Sequence, residues 1–376
     1  MKKRKVCVYC ETWESGGIES FLTGVLLRQD PSEMEMDLVV AEDRASIYTE
    51  PLRAKGIRFI PLSGSCRRVF RNWTLFRRLL HENAYDAIYL NAYQALSLRY
   101  ALLAKRAGVQ TLILHSHNTA LRAHFLRPLK LLVHKAARAL YGGAGTAYFA
   151  CSREAGEVLY PARKQDAVRF LPNGIQTERF RFSESERDAA RAELGLGDAF
   201  VLGHIGRLCD QKNQMFALDV LKAILTMRPE SRLLLVGEGA LRRTLEQRAA
   251  LLGVSDRVLF FGVTDRPERL LCAMDVFLFP SLFEGLGIVA VEAQCAGLPT
   301  LCSEHVPEEA RITELAELLP LTEGAEAWAR AASTMRCSGQ REDFAAAVRK
   351  AGFDVEDVSR TVREALLGSD AGRDEP

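Results

Sequence analysis

The sequence of 376 residues contains no run of eighteen apolar residues, and it therefore predicts no transmembrane helix. A basic start is followed by only about five apolar residues and no cleavage pattern, which favours a first strand over a signal peptide. The nine cysteines are scattered, and Cys7-x2-Cys10 has no partner pair to complete a zinc site. On a strand these two thiols would point to opposite faces. We therefore expect no metal ion, and reduced thiols indicate a cytoplasmic protein.

The net charge of +2 is divided unevenly along the chain. Residues 1–180 hold 27 Lys and Arg against 16 Asp and Glu, whereas residues 181–376 hold 23 against 32. Basic segments at 66–78 and 121–140 interleave cations with apolar side chains, which suits peripheral binding to an anionic membrane on its inner face. An ordinary packed helix with a solvated face is the alternative. Nucleic acid is not an expected partner, because the second half is acidic and lacks a nucleic-acid motif.

Strand and helix patterns alternate through the first half and start again after residues 171–174. This order predicts an α/β protein with two Rossmann-like, doubly wound domains facing each other across a cleft. The predicted strands are 5–9, 36–41, 58–61, 87–90, 111–115, 147–150, 200–205, 232–236, 258–260 and 275–280. The predicted helices are 19–27, 73–81, 95–107, 121–141, 213–226, 241–252, 267–273, 288–296 and 354–367. The predicted domains are 1–180 and 181–353, followed by a helix at 354–367 that could return to the first domain and a disordered tail at 368–376.

Two glutamates, Glu284 and Glu292, stand eight residues apart where a buried strand, a glycine turn and a helix follow one another. Such a turn directs backbone N–H groups and the helix dipole at one anion. A phosphate between the two carboxylates would leave each free to bind hydroxyl groups, as a sugar nucleotide requires. The plain alternative is a helix cap and a solvated glutamate. The turn itself consists of Gly285, Leu286, Gly287 and Ile288.

Two cations, Arg207 and Lys212, follow the glycine-containing strand at 200–205. A diphosphate needs two cations, and arginine offers a planar fork where lysine offers a point charge. The alternative is a pair of solvated surface side chains.

Further polar and glycine residues follow other strands. They are Gly16 and Gly17 after the first strand, His115 and His117 at the end of the strand at 111–115, and Gly237 and Glu238 after the strand at 232–236. Carboxyl ends of parallel strands are the usual ligand edge. His115 and His117 would lie on the same face of the strand, so a metal site is one interpretation. Contact with the substrate is the preferred interpretation. Asn173 and Gly174 are predicted to serve a turn with positive φ.

These motifs, in this order, resemble the family-four type of retaining GT-B glycosyltransferases, most of all bacterial enzymes of capsule and exopolysaccharide assembly. The resemblance covers nearly the whole chain. It implies that Arg207 and Lys212 hold the diphosphate of a nucleotide sugar, that Glu284 holds sugar hydroxyls and that Glu292 holds the ribose. It places Gly237 and Glu238 near the nucleotide, and Gly16 and Gly17 near the diphosphate and acceptor. It also places a histidine near the sugar, and His117 matches that position better than His115.

The resemblance further implies transfer from a nucleotide sugar, with a UDP-sugar as the expected donor, to a lipid-linked or other glycan acceptor with retention at the anomeric carbon. The leaving phosphate would help to accept the acceptor's proton, and neither a metal nor another cofactor is needed. His117, Glu284, Arg207 and Lys212 are then the catalytic group. Two alternatives remain open: a sugar-nucleotide 2-epimerase of the same fold and a non-catalytic nucleotide-sugar sensor.

Overall fold

The computed structural model describes residues 3–14, 16–43, 46–92, 94–118 and 127–368. The chain divides into two compact units, one formed by Met1–Ile175 with Val355–Pro376 and the other by Gln176–Asp354. The units divide between residues 175 and 176 and between residues 354 and 355, whereas the predicted domains divide after residues 180 and 353. Most of the predicted tail, residues 369–376, lies outside the described residues. None of the described helices has the length and apolar character that a membrane crossing demands.

The first unit is built on a parallel sheet with the strand order β3-β2-β1-β4-β5-β6-β7. Its strands are β1 (Arg4–Trp13), β2 (Met34–Asp43), β3 (Arg58–Pro61), β4 (Ala87–Ala92), β5 (Thr111–Ser116), β6 (Ala147–Ala150) and β7 (Val168–Phe170). Its helices up to the end of this sheet are α1 (Gly17–Leu27), α2 (Thr49–Ala54), α3 (Val69–Glu82), α4 (Arg99–Arg106), α5 (Arg127–Tyr141) and α6 (Arg153–Leu159). All six residues of β4 are buried, as expected for a central strand covered on both faces.

The second unit repeats the architecture with a parallel sheet of order β10-β9-β8-β11-β12-β13. Its strands are β8 (Val201–Ile205), β9 (Arg232–Val236), β10 (Val258–Gly262), β11 (Val276–Phe279), β12 (Thr300–Cys302) and β13 (Ala316–Leu318). Its helices are α7 (Thr177–Phe180), α8 (Glu184–Glu193), α9 (Gln214–Ile224), α10 (Arg242–Leu252), α11 (Pro267–Ala273), α12 (Ile288–Cys295), α13 (Gly324–Thr334) and α14 (Phe344–Val348). Its core joins leucines of β8 and β9 to α9 and to the buried Trp328 of α13.

The last helix, α15 (Val355–Leu367), belongs to the first unit. Val358, Val362 and Leu366 enter the same core as β1 and α1. The N–H of Val355 donates to the carbonyl of Ile175 over 2.8 Å, so the chain segments that lead into and out of the second unit pair with each other.

The prediction that Asn173 and Gly174 form a turn with positive φ is wrong. Among the described residues the only non-glycine with positive φ is Asn213, and Gly174 is not among the glycines that have it. Glycine is required at 174 for a different reason: an added Cβ would lie 2.9 Å from Cγ2 of Val358 and 3.0 Å from Cα of Val355. Close packing of α15 explains this glycine.

Several element bounds differ from the prediction. β1 runs to Trp13, and the predicted helix at 95–107 begins as a 3-10 turn before α4. The predicted helix at 121–141 is observed from Arg127, and residues 121–126 lie outside the described part of the chain. β12 and β13, each three residues long, escaped prediction because strands of that length show no alternation.

Candidate functional site

The loops that follow β8 and β9 lie against each other through their backbones. The N–H of Gly206 donates to the carbonyl of Val236 over 2.9 Å, and the N–H of Leu208 donates to Glu238 over 2.9 Å. Gly237 has φ of 130°, and a Cβ there would come closer than 3.0 Å to the carbonyl oxygen of Gly206. Both the dihedral angle and the approach therefore require glycine at this position.

Lys212 and Glu284, which are distant in sequence, form an ion pair in this unit. Nζ of Lys212 lies 2.7 Å from Oε1 of Glu284, and the two side chains are only 17% and 8% exposed. The same ammonium group lies 4.7 Å from the centre of the Phe279 ring, which adds a cation–π contact. The structure therefore places the lysine predicted to bind phosphate next to the glutamate predicted to bind sugar hydroxyls.

Backbone hydrogen bonds hold this pair in register. The N–H of Leu282 donates to the carbonyl of Gln211 over 2.8 Å, and the side-chain amide of Gln211 donates to the carbonyl of Phe283 over 2.9 Å. Asn213, in the left-handed region with φ of 52°, turns the chain from Lys212 into α9. The segments before Lys212 and before Glu284 are thus joined directly, which fixes the distance between the two charges.

The glycine turn between Glu284 and α12 has the form that the sequence predicts. Gly287 has φ of 88° and precedes Ile288, the first residue of α12. A Cβ on Gly287 would lie 2.9 Å from Cε1 of Phe279, so the strand β11 and the turn pack tightly. Because the first N–H groups of a helix have no partner within it, this end of α12 is suited to an anion.

Glu292 lies on the second turn of α12 and is half-buried. Burial raises the pKa of its carboxyl group to about 8, Arg179 and Lys212 lower it, and Glu268 raises it further. Arg179 is itself paired with Glu268 over 2.9 Å, which weakens its effect as a counter-ion. Glu292 is therefore largely protonated near neutral pH and can donate as well as accept a hydrogen bond.

Arg207 and Glu238 are more exposed than the Lys212 pair. Arg207 is exposed in the loop after β8, where its carbonyl accepts a hydrogen bond from Gln214 over 2.9 Å. Glu238 forms an ion pair with Arg242 of α10 over 3.2 Å. Both residues stand at the edge to which the carboxyl ends of β8 and β9 lead.

His204 was not predicted from the sequence. It lies in β8 and supports the loop that follows this strand. Its ring is buried in β8, where Nδ1 donates to the carbonyl of Leu278 over 2.9 Å and Nε2 lies 3.1 Å from the amide nitrogen of Gln214. Burial lowers the pKa of His204 to about 4, so that it stays neutral. Its position between two glycines in Gly203-His-Ile-Gly206 was the available signal.

In the first unit, Gly16 and Gly17 lead from β1 into α1. Gly16 has an extended backbone with φ of −131°, so its conformation does not itself demand glycine. A Cβ there would lie 2.6 Å from Oε2 of Glu19, a buried residue that the sequence analysis did not select. The glycine makes room for this carboxylate, which folds back over the start of the helix.

His117 and His115 both lie at the end of β5, but in different surroundings. His115 is fully buried, and its Nδ1 lies 2.6 Å from the hydroxyl of Tyr89. His117 contacts the side chains of Asn91 and Asn173 at 2.9 and 3.1 Å. The two rings are 3.9 Å apart between centroids. The structure therefore joins Asn173, taken from sequence as a turn residue, to the predicted site histidine.

A second polar cluster of the first unit was also missed. Glu11, at the end of β1, accepts hydrogen bonds from Gln94 and Ser97, each over 2.7 Å. Burial raises the pKa of Glu11, while the two hydrogen bonds and Arg99 oppose the rise. No sequence motif marks this group, because the contributing residues come from separate strand ends.

Within the described residues no group of three or more His, Cys, Asp or Glu side chains is arranged to hold a metal ion. Cys7 and Cys10 are both buried in β1, and burial raises the pKa of the Cys7 thiol.

Comparisons with known proteins agree with this geometry. The model of Glycosyltransferase Family 4 matches residues 15–179, and that of Glycosyl transferases group 1 matches residues 199–336. The putative glycosyltransferase EpsF of Bacillus subtilis is 30% identical over 357 residues, covering 91% of this chain and 90% of its own. An Escherichia coli UDP-Gal:alpha-D-GlcNAc-diphosphoundecaprenol alpha-1,3-galactosyltransferase is 28% identical, covering 60% of this chain and 59% of its own.

Solved structures show the same fold. Anabaena Alr3699/HepE in complex with UDP-glucose superposes with a TM-score of 0.78 at 22% identity, covering 97% of this chain and 99% of that one. WaaG, a glycosyltransferase of lipopolysaccharide biosynthesis, superposes with a TM-score of 0.73 at 18% identity, covering 97% and 100%.

Two Rossmann-like units, each built on a parallel sheet, give this chain the GT-B fold. The chain belongs to the family-four type of GT-B glycosyltransferases, which transfer sugars.

Proposed function

We propose that the protein transfers a sugar from a UDP-sugar to a lipid-linked or other glycan acceptor, in the synthesis of a cell-surface polysaccharide. The observation that carries the proposal is the pairing of Lys212 with Glu284 beside the amino end of α12. The name of one relative supports the choice of donor and acceptor, since it is a UDP-galactose enzyme acting on a diphosphoundecaprenol-linked sugar.

In the proposed donor site, the diphosphate binds between Arg207, Lys212 and the first N–H groups of α12. Such charge-assisted hydrogen bonds contribute about 1.5–3 kcal/mol each. Glu284 accepts hydrogen bonds from sugar hydroxyls, and Glu292 binds the ribose. The loop of Gly237 and Glu238 lies on the nucleotide side, while Gly16, Gly17 and His117 belong to the acceptor-binding unit.

The proposed reaction retains the configuration at the anomeric carbon. The bond from this carbon to the diphosphate oxygen breaks, the acceptor oxygen bonds to the same face, and the acceptor proton passes to the leaving phosphate. Arg207, Lys212 and the end of α12 stabilise the negative charge that develops on this phosphate. Because fixed cations do this, the proposal requires no metal ion.

The test is to incubate the protein with UDP-, GDP- and ADP-sugars, with and without a polyprenyl-diphosphate sugar acceptor, in the presence of a chelator. Nucleotide release that needs the acceptor, and an NMR coupling constant showing retention, support the proposal. Isomerised donor without acceptor indicates the epimerase, and saturable binding without turnover indicates the sensor. The matched control is Arg243→Ala, an exposed cation on α10 that lies outside the proposed site.

We also propose that the first unit binds an anionic membrane surface through α5. Three of its leucines, Leu129, Leu132 and Leu140, are 57%, 66% and 71% exposed, and its sequence contains no acidic residue. Of residues 129–140 only His134 and Ala137 are buried. His134 anchors the helix, with Nε2 donating to the carbonyl of Val158 over 2.9 Å.

The cations on the same helix complete this surface: Lys130, Lys135 and Arg138. Phe70 on α3, 88% exposed among arginines, offers a second apolar contact. Each cation near an anionic surface contributes about 1 kcal/mol. The protein should float with vesicles that contain phosphatidylglycerol but not with vesicles of phosphatidylcholine alone, and Leu132→Ser with Leu140→Ser should weaken flotation. Equal flotation with both vesicle types would exclude the electrostatic part of this proposal.

A further inference from the structure

The ring of His117 is held at both of its nitrogens by asparagine side chains. Nε2 lies 2.9 Å from Oδ1 of Asn91, which belongs to β4, and Nδ1 lies 3.1 Å from Oδ1 of Asn173, which follows β7. His117 itself follows β5. One imidazole therefore connects the ends of three strands, and all three side chains are buried.

The hydrogen-bond chemistry of this cluster restricts its protonation. A neutral imidazole has one N–H donor and one acceptor nitrogen, so two carbonyl oxygens cannot both be satisfied by it. The oxygen and nitrogen of an asparagine amide are assigned through their partners. The amide nitrogen of Asn91 donates to the carbonyl of Tyr9 over 3.4 Å, which directs its oxygen at Nε2. Asn173 must then direct its amide nitrogen at Nδ1.

The surroundings favour the neutral ring. Burial lowers the pKa of His117 to about 3, with no charged side chain contributing. His115 is the titratable group facing it, and burial holds the pKa of His115 low as well. The ring of Phe21, from α1, lies 5.3 Å away and contributes no charge.

We infer that Asn91 and Asn173 hold His117 in the Nε2–H tautomer, and that His117 is a positioning residue which sets the loops after β4, β5 and β7. Its ring nitrogens are occupied within the first unit, so it does not carry the acceptor's proton. This inference deepens the proposed function and rests on it only for the effect on the reaction; the tautomer is a property of the protein without substrate.

The decisive experiment is 15N NMR of the imidazole nitrogens in the full-length protein, from about pH 5 to about pH 9. His117→Gln identifies the signals. We expect a protonated Nε2 and an unprotonated Nδ1 throughout this range. An Nδ1–H tautomer, or a titration within the range, would overturn the inference.

Two matched variants sharpen the result. Asn173→Asp replaces a donor by a carboxylate that can only accept, so Nδ1 should gain a proton and the ring should become an imidazolium at neutral pH. Asn91→Asp leaves an acceptor opposite Nε2, so Nε2–H should persist while the pKa of the ring rises. If Asn173→Asp left Nδ1 unprotonated, the assigned orientation of Asn173 would be wrong. If either variant fails to fold, the wild-type spectrum alone still shows which tautomer His117 adopts.

A kinetic comparison tests the positioning role. Asn91→Ala, Asn173→Ala and His117→Gln should each lower turnover, by up to about 100-fold, while both limbs of the pH–rate profile persist. Loss of one limb in His117→Gln alone would make His117 a proton carrier. An inactive wild-type protein would count against the proposed function, while the spectra would still decide the tautomer.

Discussion

The two units share one architecture but place opposite kinds of chemistry at their strand ends. In the second unit, Lys212 and Glu284 form an ion pair beside the start of α12. In the first unit, His117 lies between two neutral amides and Glu11 accepts two neutral hydrogen bonds. The same sheet edge is therefore built for charge in one unit and for neutral polar groups in the other. This division suits the charged donor and the hydroxyl-bearing acceptor of the proposed reaction.

The largest effect is expected from Lys212→Ala, which removes the cation of the charged site. We expect kcat to fall about 100- to 1000-fold, as when one stabilising group of a transition state is lost. The partly buried Glu284 carboxylate also loses its ion pair with this cation, so the free energy of unfolding should decrease. Steady-state kinetics and urea unfolding measure the two effects. Activity equal to that of Arg243→Ala would remove Lys212 from the site.

The next effect is on the loop that supports the charged site. Gly237→Ala would force a Cβ against the carbonyl of Gly206 at φ of 130° and should lower the free energy of unfolding by about 2–4 kcal/mol. Gly253→Ala is the matched control, since Gly253 has φ of 68° but open space around its Cβ position. Gly253→Ala should lower the free energy of unfolding by only about 1 kcal/mol. Equal losses in the two variants would mean that the close approach contributes nothing.

In the first unit, Gly174→Ala tests the packing of α15. The added Cβ would meet Val355 and Val358, so we expect a loss of about 1–3 kcal/mol in the free energy of unfolding. The second substitution Val358→Ala, which shortens the side chain that the new Cβ meets, should recover part of this loss in a double-mutant cycle. Strict additivity would show that the two positions do not contact each other.

The last expected effect is a pH dependence from Glu292. Its pKa is raised from 4.5 to about 8, so the folded protein binds a proton that the unfolded chain releases. The free energy of unfolding should therefore fall as pH rises between these values, by at most about 1.4 kcal/mol per pH unit. Glu292→Gln, which cannot ionise, should remove this slope. Urea unfolding of both proteins at about pH 5.5 and about pH 8 measures it, and parallel slopes would assign the dependence to other groups.

Much of the fold was predictable because its signals are local. The bounds of β3, β9 and α11 agree with the predicted ranges, since apolar runs and a leading proline mark them. The bounds of β1 and α4 were less accurate, because the extension of β1 depends on its pairing with β2 and the 3-10 turn before α4 packs against α5. The strands β12 and β13 gave no pattern, and only their pairing with β11 makes them strands.

The sequence by itself determined the two repeats, the order of the motifs, and the glycine turn that precedes α12, because periodicity, glycine and charge act over short stretches of chain. Only the tertiary structure decided that Lys212 meets Glu284, that Asn173 meets His117, and that Gly174 makes room for α15. These contacts join residues from separate loops and strand ends. Their distances depend on how the strands stack and how closely the helices pack, and no local pattern of residue types records either.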